Sequence, residues 1–348
     1  MTKFDPDSAA RPDSGIFGLS TPPERARVVL LPVPFEATTS YGGGTADGPR
    51  AIFEASKQVD LFDLDTGRPY EQGIAMLPEP EEVRAWNDEA KRLAAPIIAS
   101  GGTQTDARAL SRIEALCQRM NQWVYHQTRH WLGQGKLVGL VGGDHSTPFG
   151  CIQAHAERYP GLGILHLDAH ADLRDAYEGF TWSHASIMFN VMQGVPEVGR
   201  LVQVGIRDFG EGEYQYIQDS KGRIRTFFDA QLARERHAGA TWNQQVEAII
   251  RELPQQVYLS WDIDGLEPTL CPHTGTPVPG GLDFAQAVGL LEGLVRSGRQ
   301  IVGFDLNEVS PGPESSEWDG NVGARLLYKQ IGWSLMSQPA RQHRPLVG

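Results

Sequence analysis

The chain has 348 residues, of which 40% are hydrophobic, and this is enough to bury the core of one large α/β domain. Its formal net charge of −12 argues against nucleic acids and anionic membranes as partners. No apolar run reaches the length of a membrane span, and the amino terminus has no hydrophobic signal region. Three scattered cysteines fit a reducing compartment, so we expect a cytoplasmic protein.

The amino-terminal part predicts an arm followed by a strand and a helix. Residues 1–23 are polar and rich in Pro, Asp and Ser, which predicts a flexible arm before a single domain at 24–348. Arg27–Pro32 predicts a buried strand, and the glycine-rich Ser40–Gly48 leads into a helix at about Pro49–Ala55. Because the glycine cluster lacks both nucleotide-binding spacings, we interpret it as a turn rather than a phosphate loop.

The next segment is mainly helical. Short strand-like pieces at Gln58–Pro80 precede a long helical pattern at Glu81–Trp131, which a turn at Ala99–Thr105 interrupts. His126 and His130 lie four residues apart, a spacing that can chelate a metal on one helix face. No nearby acid or cysteine completes a ligand set, so we interpret both as capping or packing residues.

Beyond Gly135, short apolar runs alternate with helical patterns. The predicted strands are Leu137–Val141, Gly163–Leu167, Leu201–Val204, Arg225–Phe228, Val257–Ser260 and Ile301–Asp305. The predicted helices are Pro148–Arg158, Ala185–Met192, Thr241–Leu253, Asp283–Arg296 and Val322–Met336. This alternation predicts a mostly parallel sheet of about eight strands, covered by helices on both faces.

Potential metal ligands follow one of these strands at every second position. Asp168, His170 and Asp172 come after the apolar run that ends at Leu167. In an extended segment alternate side chains project to the same face, so the three groups can converge. Burying two carboxylates and an imidazole at a strand end is costly unless a cation lies between them.

Two other strands end in matching residues. Asp144 and His145 follow one strand, and Asp262 and Asp264 follow another. In α/β sheets, ligands bind at the carboxyl ends of parallel strands. We therefore expect all three clusters to form a single site.

These motifs resemble a known family. The segments Gly142–Ser146 (GGDHS), Asp168–Asp172 (DAHAD) and Ser260–Pro268 (SWDIDGLEP) are similar, in this order, to the three signatures of the ureohydrolase superfamily. That superfamily includes arginase, agmatinase, formiminoglutamase, proclavaminate amidinohydrolase and guanidine hydrolase. The resemblance spans the chain from roughly Arg27 to the last helix, and implies a three-layer α/β/α fold on an eight-stranded parallel sheet.

The resemblance also implies two metal ions that share bridging carboxylates. One ion would be held by His145, Asp168, Asp172 and Asp262, and the other by Asp168, His170, Asp262 and Asp264. This ligand set suits Mn²⁺, Ni²⁺ or Co²⁺. Manganese is usual in the family and nickel in its guanidine hydrolases, so we predict Ni²⁺ or Mn²⁺. Two such ions can share a water, lower its pKa and present hydroxide to the carbon of a guanidinium.

Three further residues have predicted catalytic roles. Asp144 either orients an imidazole or the bridging solvent, or it caps a helix. By the resemblance, His184 corresponds to a proton-shuttling histidine near the substrate. Glu308 corresponds to the glutamate that binds the guanidinium through two parallel hydrogen bonds. We also predict that His184 and Glu308 contact the substrate.

The loop after Asp172 bears on the substrate. Arginases recognise an amino-acid head here with polar residues that include an asparagine, and Leu173–Trp182 differs from that pattern. Tyr177, Phe180 and Trp182 either wall a compact pocket for a cation or pack the loop, and we predict Tyr177 and Trp182 as substrate-binding residues.

The segment Cys271–Pro277 and the long arm resemble the agmatinase-like guanidine hydrolase branch, which includes enzymes acting on metformin. We therefore predict a dinuclear-metal hydrolase of a small or alkyl-substituted guanidinium, such as guanidine or a metformin-like biguanide. It would release urea or a urea derivative with ammonia or an amine. The alternative is an agmatinase, which yields putrescine and urea, or another ureohydrolase.

Two further alternatives belong to other classes. A non-catalytic subunit of a mixed complex would be expected to lack ligands, and this chain lacks none. A deacetylase-like protein with one zinc would not need the second histidine or the pair Asp262 and Asp264. Since the family forms trimers and hexamers, we expect a homo-oligomer, or a mixed assembly with a related chain.

Overall fold

The computed structural model describes residues 5–103, 106–313 and 316–339. At its centre lies one sheet of eight strands in which neighbouring strands are parallel. In spatial order the strands are β2 (Ile74–Met76), β1 (Val28–Val33), β3 (Leu137–Gly142), β8 (Gln300–Leu306), β7 (Gln256–Trp261), β4 (Leu162–Leu167), β5 (Val198–Ile206) and β6 (Ile224–Phe228). The predicted parallel sheet is thus confirmed.

Ten α-helices lie within the described ranges and cover both faces of the sheet. They are α1 (Gly48–Ser56), α2 (Glu81–Ala99), α3 (Ala107–Gly133), α4 (Phe149–Arg158), α5 (Ile187–Gly194), α6 (Glu211–Asp219), α7 (Asp229–His237), α8 (Trp242–Arg251), α9 (Phe284–Arg296) and α10 (Trp318–Met336). Helices α1 and α7 to α10 bury side chains in one core, and α2 to α6 bury theirs in another. The predicted three-layer α/β/α fold is confirmed.

The strands that carry the site are buried, apart from the first residue of β7. Every residue of β1, β3 and β4 is buried, as expected of strands that have helices on both faces. Among the described residues, no helix is both long and apolar enough to cross a bilayer. The predicted turn at Ala99–Thr105 separates α2 from α3, and its residues 104–105 lie outside the described residues.

The sequence analysis missed α6 and α7. Only Leu232 of α7 is buried, and α6 buries only Glu213 and Ile217. Neither helix therefore carries the repeating apolar stripe from which a helix is predicted.

The end of the predicted arm packs on the domain. Ile16 and Phe17 are 1% and 2% exposed. The backbone N–H of Phe17 donates to Ser56 Oγ at 2.9 Å, and its ring lies 4.9 Å from that of Tyr328. This part of the arm is therefore anchored, while the predicted flexibility stays a prediction for residues 5–13. Residues 1–4 lie outside the described residues.

We expect Phe17→Ala to lower the free energy of unfolding by about 3 kcal/mol, because it removes a fully buried aromatic ring and leaves a cavity. Urea denaturation followed by tryptophan fluorescence measures this change. Leu64→Ala is the matched control, since Leu64 is 89% exposed. Equal stability of the two variants would contradict the anchoring of residues 16–19.

Candidate metal centre

The three sequence motifs lie at the ends of central strands. They follow β3, β4 and β7, which are close neighbours in the order β3-β8-β7-β4. The backbone N–H of Asp262 donates to Leu167 O at 3.0 Å, so the ends of β7 and β4 stay paired up to the motifs. The predicted convergence of the three clusters therefore follows from the strand order.

Glycines in the first motif allow this close approach. A Cβ atom on Gly142 would lie 2.0 Å from Asn307 Oδ1, and one on Gly143 would lie 2.0 Å from Phe35 O. Contacts this short exclude any side chain at either position. The two glycines therefore bring the turn that carries His145 against the neighbouring strand ends.

His145 lies at the centre of the first ligand group. Its Nδ1 atom is 3.1 Å from Asp168 Oδ2 and 3.5 Å from a carboxylate oxygen of both Asp172 and Asp262. All four side chains are buried. The structure thus brings together the complete ligand set predicted for one metal ion.

The second ligand group shares Asp168 and opens toward solvent. His170 Nδ1 lies 3.5 Å from Asp168 Oδ1 and 3.1 Å from Asp264 Oδ2. The backbone N–H of Ala169 donates to Asp264 Oδ1 at 3.0 Å and fixes that carboxylate. The side chain of His170 is 24% exposed, which leaves a route for solvent to this group.

The charge of the cluster fits divalent cations. Burial and the negative charge of nearby aspartates raise the pKa of Asp172 and Asp262 well above the usual range. Burial opposes ionisation of Asp168 as well, but His166 and His145 hold its pKa well below the usual range. The aspartates raise the pKa of His145 and His170. Carboxylates whose buried charge is not balanced, together with two imidazoles, form a donor set suited to two divalent metal ions.

Two of the predicted site residues have left-handed backbone conformations. Asp172 has a φ of 53° and Glu308 has a φ of 63°. The carbonyl oxygen of Asp172 accepts hydrogen bonds from Met188 and Phe189 in the first turn of α5. Such conformations are costly for residues other than glycine and often occur at functional sites.

Glu308 has one carboxylate oxygen engaged and one without a partner. Oε1 accepts the backbone N–H of His145 at 2.9 Å, whereas the buried Oε2 has no hydrogen-bond partner among the described residues. Burial and the charges of Asp262 and Asp144 raise the pKa of Glu308. Thr274, in the segment Cys271–Pro277, donates its hydroxyl to Glu308 O at 2.8 Å. A Cβ atom on Gly275, in the same segment, would lie 3.6 Å from Glu308 Oε2, so the segment borders the carboxylate as well as the backbone.

Asp144 stabilises the turn that presents His145. Its Oδ1 accepts the backbone N–H of Ser146 at 3.0 Å, and its Oδ2 accepts Thr39 Oγ1 at 3.3 Å. Helix α4 begins only at Phe149, so Asp144 is not its N-cap. These bonds hold Asp144 beside the site, and its predicted role in catalysis stays a prediction.

His184 lies close enough to the metal centre for the charges of His170, Asp168 and His145 to act on it. Burial and the positive charge of His170 lower the pKa of His184 to about 4, so its imidazole is neutral at pH 7. The ring of Tyr177 lies 6.2 Å from that of His184, and the Arg174 guanidinium lies 4.7 Å from the Tyr177 ring. Arg174 Nε is also 3.4 Å from Glu213 Oε2.

The other two aromatic residues of this loop face the core. Phe180 is 1% exposed and belongs to the core formed by α2 to α6. The ring of Trp182 lies 4.8 Å from that of Phe149 in an edge contact. These contacts favour loop packing for Phe180 and Trp182, and leave Tyr177 as the ring beside His184.

Sequence reasoning missed several residues that support the site. His166 Nε2 lies 2.8 Å from Asp168 Oδ2. Arg207 donates to the carbonyl oxygens of Asp264 and Leu266 at 2.7 and 3.2 Å, which fixes the turn after β7. A signal for His166 was present, since an imidazole between two leucines in a fully buried strand requires a polar partner. Arg207 gave no comparable signal, because its acceptors are backbone atoms.

The glycine-rich loop holds a carboxylate of the chain itself. Glu36 Oε2 accepts the backbone N–H groups of Gly44 and Thr45, both at 2.7 Å, and the Thr45 hydroxyl at 3.0 Å. Lys91 pairs with the other oxygen of Glu36. Glu36 therefore occupies the position that an anion would take, which agrees with interpreting the loop as a turn.

Comparison with known proteins identifies similar chains over nearly the full length. The arginase family description matches residues 26–332. The N(1)-aminopropylagmatine ureohydrolase of Thermus thermophilus is 36% identical over 91% of this chain and 94% of its own length. The mitochondrial agmatinase of Gallus gallus is 34% identical over 90% of this chain and 82% of its own.

A solved structure agrees with the fold. The proclavaminate amidinohydrolase of Streptomyces clavuligerus superposes with a TM-score of 0.72 at 20% identity, covering 95% of this chain and 100% of that one. The two relatives are named for agmatine and an agmatine derivative, not for guanidine or metformin. The finer resemblance to a guanidine hydrolase branch therefore stays a prediction.

We expect metal affinity to rise with pH, because the pKa values of Asp172, Asp262, His145 and His170 are raised and a metal ion must displace their protons. Titration calorimetry with Mn²⁺ at about pH 6 and about pH 8, in two buffers that differ in ionisation enthalpy, measures the affinity and the protons released. A pH-independent affinity without proton release would contradict the assignment of these side chains as ligands.

Proposed function

The chain belongs to the arginase family, and on that premise we propose that it hydrolyses the guanidino group of an agmatine-type compound to urea and an amine. Membership of the family confirms the predicted reaction class, a metal-dependent hydrolase that acts on guanidino groups. The proposal adds the substrate class and the roles of individual residues.

The observation that carries the proposal is the free oxygen of Glu308. Its Oε2 is buried next to the ligand groups and finds no partner in the part of the chain that the structure describes, while Oε1 is held by the backbone of His145. A guanidinium donates two parallel N–H groups and carries the positive charge that a buried carboxylate lacks. Binding of such a group would favour the ionised form of Glu308 and fix the guanidino carbon beside the metal centre.

The metal ions would be held by the two ligand groups around His145 and His170, with Asp168 shared between them. When bound, the two ions supply an acidified water close to the guanidino carbon. Glu308 orients the planar guanidinium so that one face is presented to that water. The burial of these side chains, apart from the partly exposed His170, limits the access of bulk solvent to the reacting groups.

His184 would carry the proton that the leaving amine needs. Its imidazole is neutral at pH 7 and lies beside His170, so it can accept a proton before it donates one. The overall reaction consumes one water. A C–O bond forms at the guanidino carbon, the C–N bond to the substituent breaks, and the amine leaves with the proton as an ammonium.

The relatives favour a linear substrate with a second cationic group. Both names refer to agmatine or to a derivative of agmatine with a longer amine chain. We therefore place agmatine-type compounds first among the candidate substrates. The acidic net charge of the protein would also attract such cations.

A second candidate is a small or alkyl-substituted guanidinium without a distal amine. The observation that favours it is the guanidinium of Arg174, which lies over Tyr177 beside His184. A fixed positive charge there would repel the ammonium of agmatine, although Glu213 partly compensates it. Guanidine and metformin are therefore included among the substrates to be tested.

The direct test is urea and amine release from guanidine, methylguanidine, metformin, agmatine, aminopropylagmatine, arginine and guanidinobutyrate after loading with Mn²⁺ or Ni²⁺. We expect the highest kcat/KM for an agmatine-type compound. Highest turnover of guanidine or metformin would select the second candidate. No release from any of them by the metal-loaded protein would contradict both.

We expect Glu308→Gln to lower kcat/KM about 100-fold at unchanged metal content, because the amide keeps the bond to His145 but loses the charge that binds the guanidinium. Steady-state urea release, with metal analysis of the same samples, checks this. Glu292→Gln on α9 is the control, since Glu292 pairs with Arg296 in the same helix, away from the ligand groups. A fully active Glu308→Gln would contradict the assigned role.

We expect Arg174→Ala to raise kcat/KM for agmatine several-fold and to lower it for guanidinobutyrate, because the variant removes positive charge beside Tyr177. Guanidine, which has no tail, should change least. Arg296→Ala on the surface of α9 is the control for losing one positive charge away from the site. A change of the same size and direction for all three substrates would contradict a role of Arg174 in selecting the tail.

A further inference from the structure

His166 is a buried histidine that no predicted ligand set contains. It lies on β4, is 0% exposed, and its Nε2 is 2.8 Å from Asp168 Oδ2. One side-chain atom of His166 lies within 4.8 Å of ligand atoms from His145, Asp168 and Asp172. Distance alone would therefore allow His166 to coordinate a metal ion.

The hydrogen bonds of Gln203 decide which nitrogen of His166 carries the proton. Gln203 Nε2 lies 2.7 Å from Ala171 O, and only an amide N–H can donate to a carbonyl oxygen. The Gln203 amide oxygen faces the Thr226 hydroxyl at 2.9 Å, which fits the same orientation of the amide. The same Nε2 lies 3.1 Å from His166 Nδ1. Nδ1 is therefore the acceptor, and the ring proton lies on Nε2.

We propose that His166 is a positioning residue that donates its Nε2–H group to Asp168 and does not coordinate metal. A ring nitrogen that carries a proton has no lone pair for an ion. The bond fixes the carboxylate that both ligand groups share, and the carboxylate is oriented before metal arrives. The inference rests on the proposed metal centre and is independent of the substrate.

The hydrogen bonds of His145 engage its other ring nitrogen, Nε2, and so leave Nδ1 facing the cluster. Asp305 Oδ1 accepts from Trp261 N at 2.9 Å and Asn307 Nδ2 at 2.6 Å, and it lies 3.1 Å from Ser260 Oγ. Ser260 therefore donates its hydroxyl to Asp305 and accepts from His145 Nε2 at 3.0 Å. Nε2–H is therefore engaged by Ser260, and Nδ1, which faces the aspartates, is the nitrogen available to a metal ion once the ion displaces its proton. Neighbouring strands thus fix two buried histidines in different roles, one as ligand and one as donor.

The test compares His166→Phe with His166→Gln. Phenylalanine fills the space without a donor, whereas the amide N–H of glutamine can replace Nε2–H. We expect His166→Phe to weaken Mn²⁺ binding about 10- to 100-fold and His166→Gln to restore most of the affinity. Calorimetry gives affinity and stoichiometry, and the melting temperature of the metal-free proteins reports the fold. His155→Gln is the control for changing a buried histidine, because the ring of His155 bonds to Cys151 O.

A second measurement uses the unmodified protein, so it is independent of how the variants fold. Long-range ¹H–¹⁵N spectra of the protein labelled with ¹⁵N at histidine report the protonation of each ring nitrogen. They are recorded on the metal-free protein and on the protein loaded with Zn²⁺, which is used in place of Mn²⁺ because it is diamagnetic. We expect the proton on His166 Nε2 to persist when metal is bound. Loss of that proton with direct coordination, or unchanged metal affinity in His166→Phe, would overturn the inference. Neither result depends on urea release, so a failure of the proposed function would be seen separately.

Discussion

Unbalanced negative charge, buried at the carboxyl ends of the central strands, is the constraint on which the rest of this structure depends. Asp168, Asp172, Asp262 and Asp264 are all at most 4% exposed, and their carboxylates lie around two imidazoles. Carboxylates that leave water repel one another strongly unless cations or donors compensate them. Burial and the repulsion between neighbouring aspartates raise the pKa of Asp172 and Asp262, as expected of a cluster that needs further positive charge. The cluster is therefore built for metal ions.

Hydrogen bonds from residues on the surrounding strands and turns hold the charged side chains in place. Parallel strands end at one edge. Gly142 and Gly143 let the turn after β3 pack against Asn307 and Phe35, and Gly265 lets the turn after β7 approach the backbone of Asp168. Ser260 engages Nε2 of His145, and Gln203 engages Nδ1 of His166, so each ring is held in one orientation. Because these partners lie on strands rather than on mobile loops, the ligand groups are oriented in advance. Selection of the group that the substrate carries beyond its guanidinium would depend on the more exposed side of the site, where Arg174 and Tyr177 lie.

The sequence predicted the sheet and the convergence of the ligands because both depend on local patterns. Apolar runs that end in Asp-x-His-x-Asp or Asp-x-Asp specify a strand and a cluster within a few residues. The polar helix α7 was missed, since it buries only Leu232. The burial of Phe17 was also missed, because its partners Ser56 and Tyr328 are distant in sequence. For Trp182 the sequence left a substrate pocket and loop packing open, because its contact with Phe149 depends on long-range packing.

The central claim is that the cluster holds two metal ions with Asp168 between them, and anomalous diffraction from crystals grown with Mn²⁺ tests it most directly. We predict two anomalous peaks, one beside His145 Nδ1 and Asp172, and one beside His170 Nδ1 and Asp264, with Asp168 in contact with both. His166 should contact neither. A single peak, or a peak coordinated by His166 Nε2, would contradict the account.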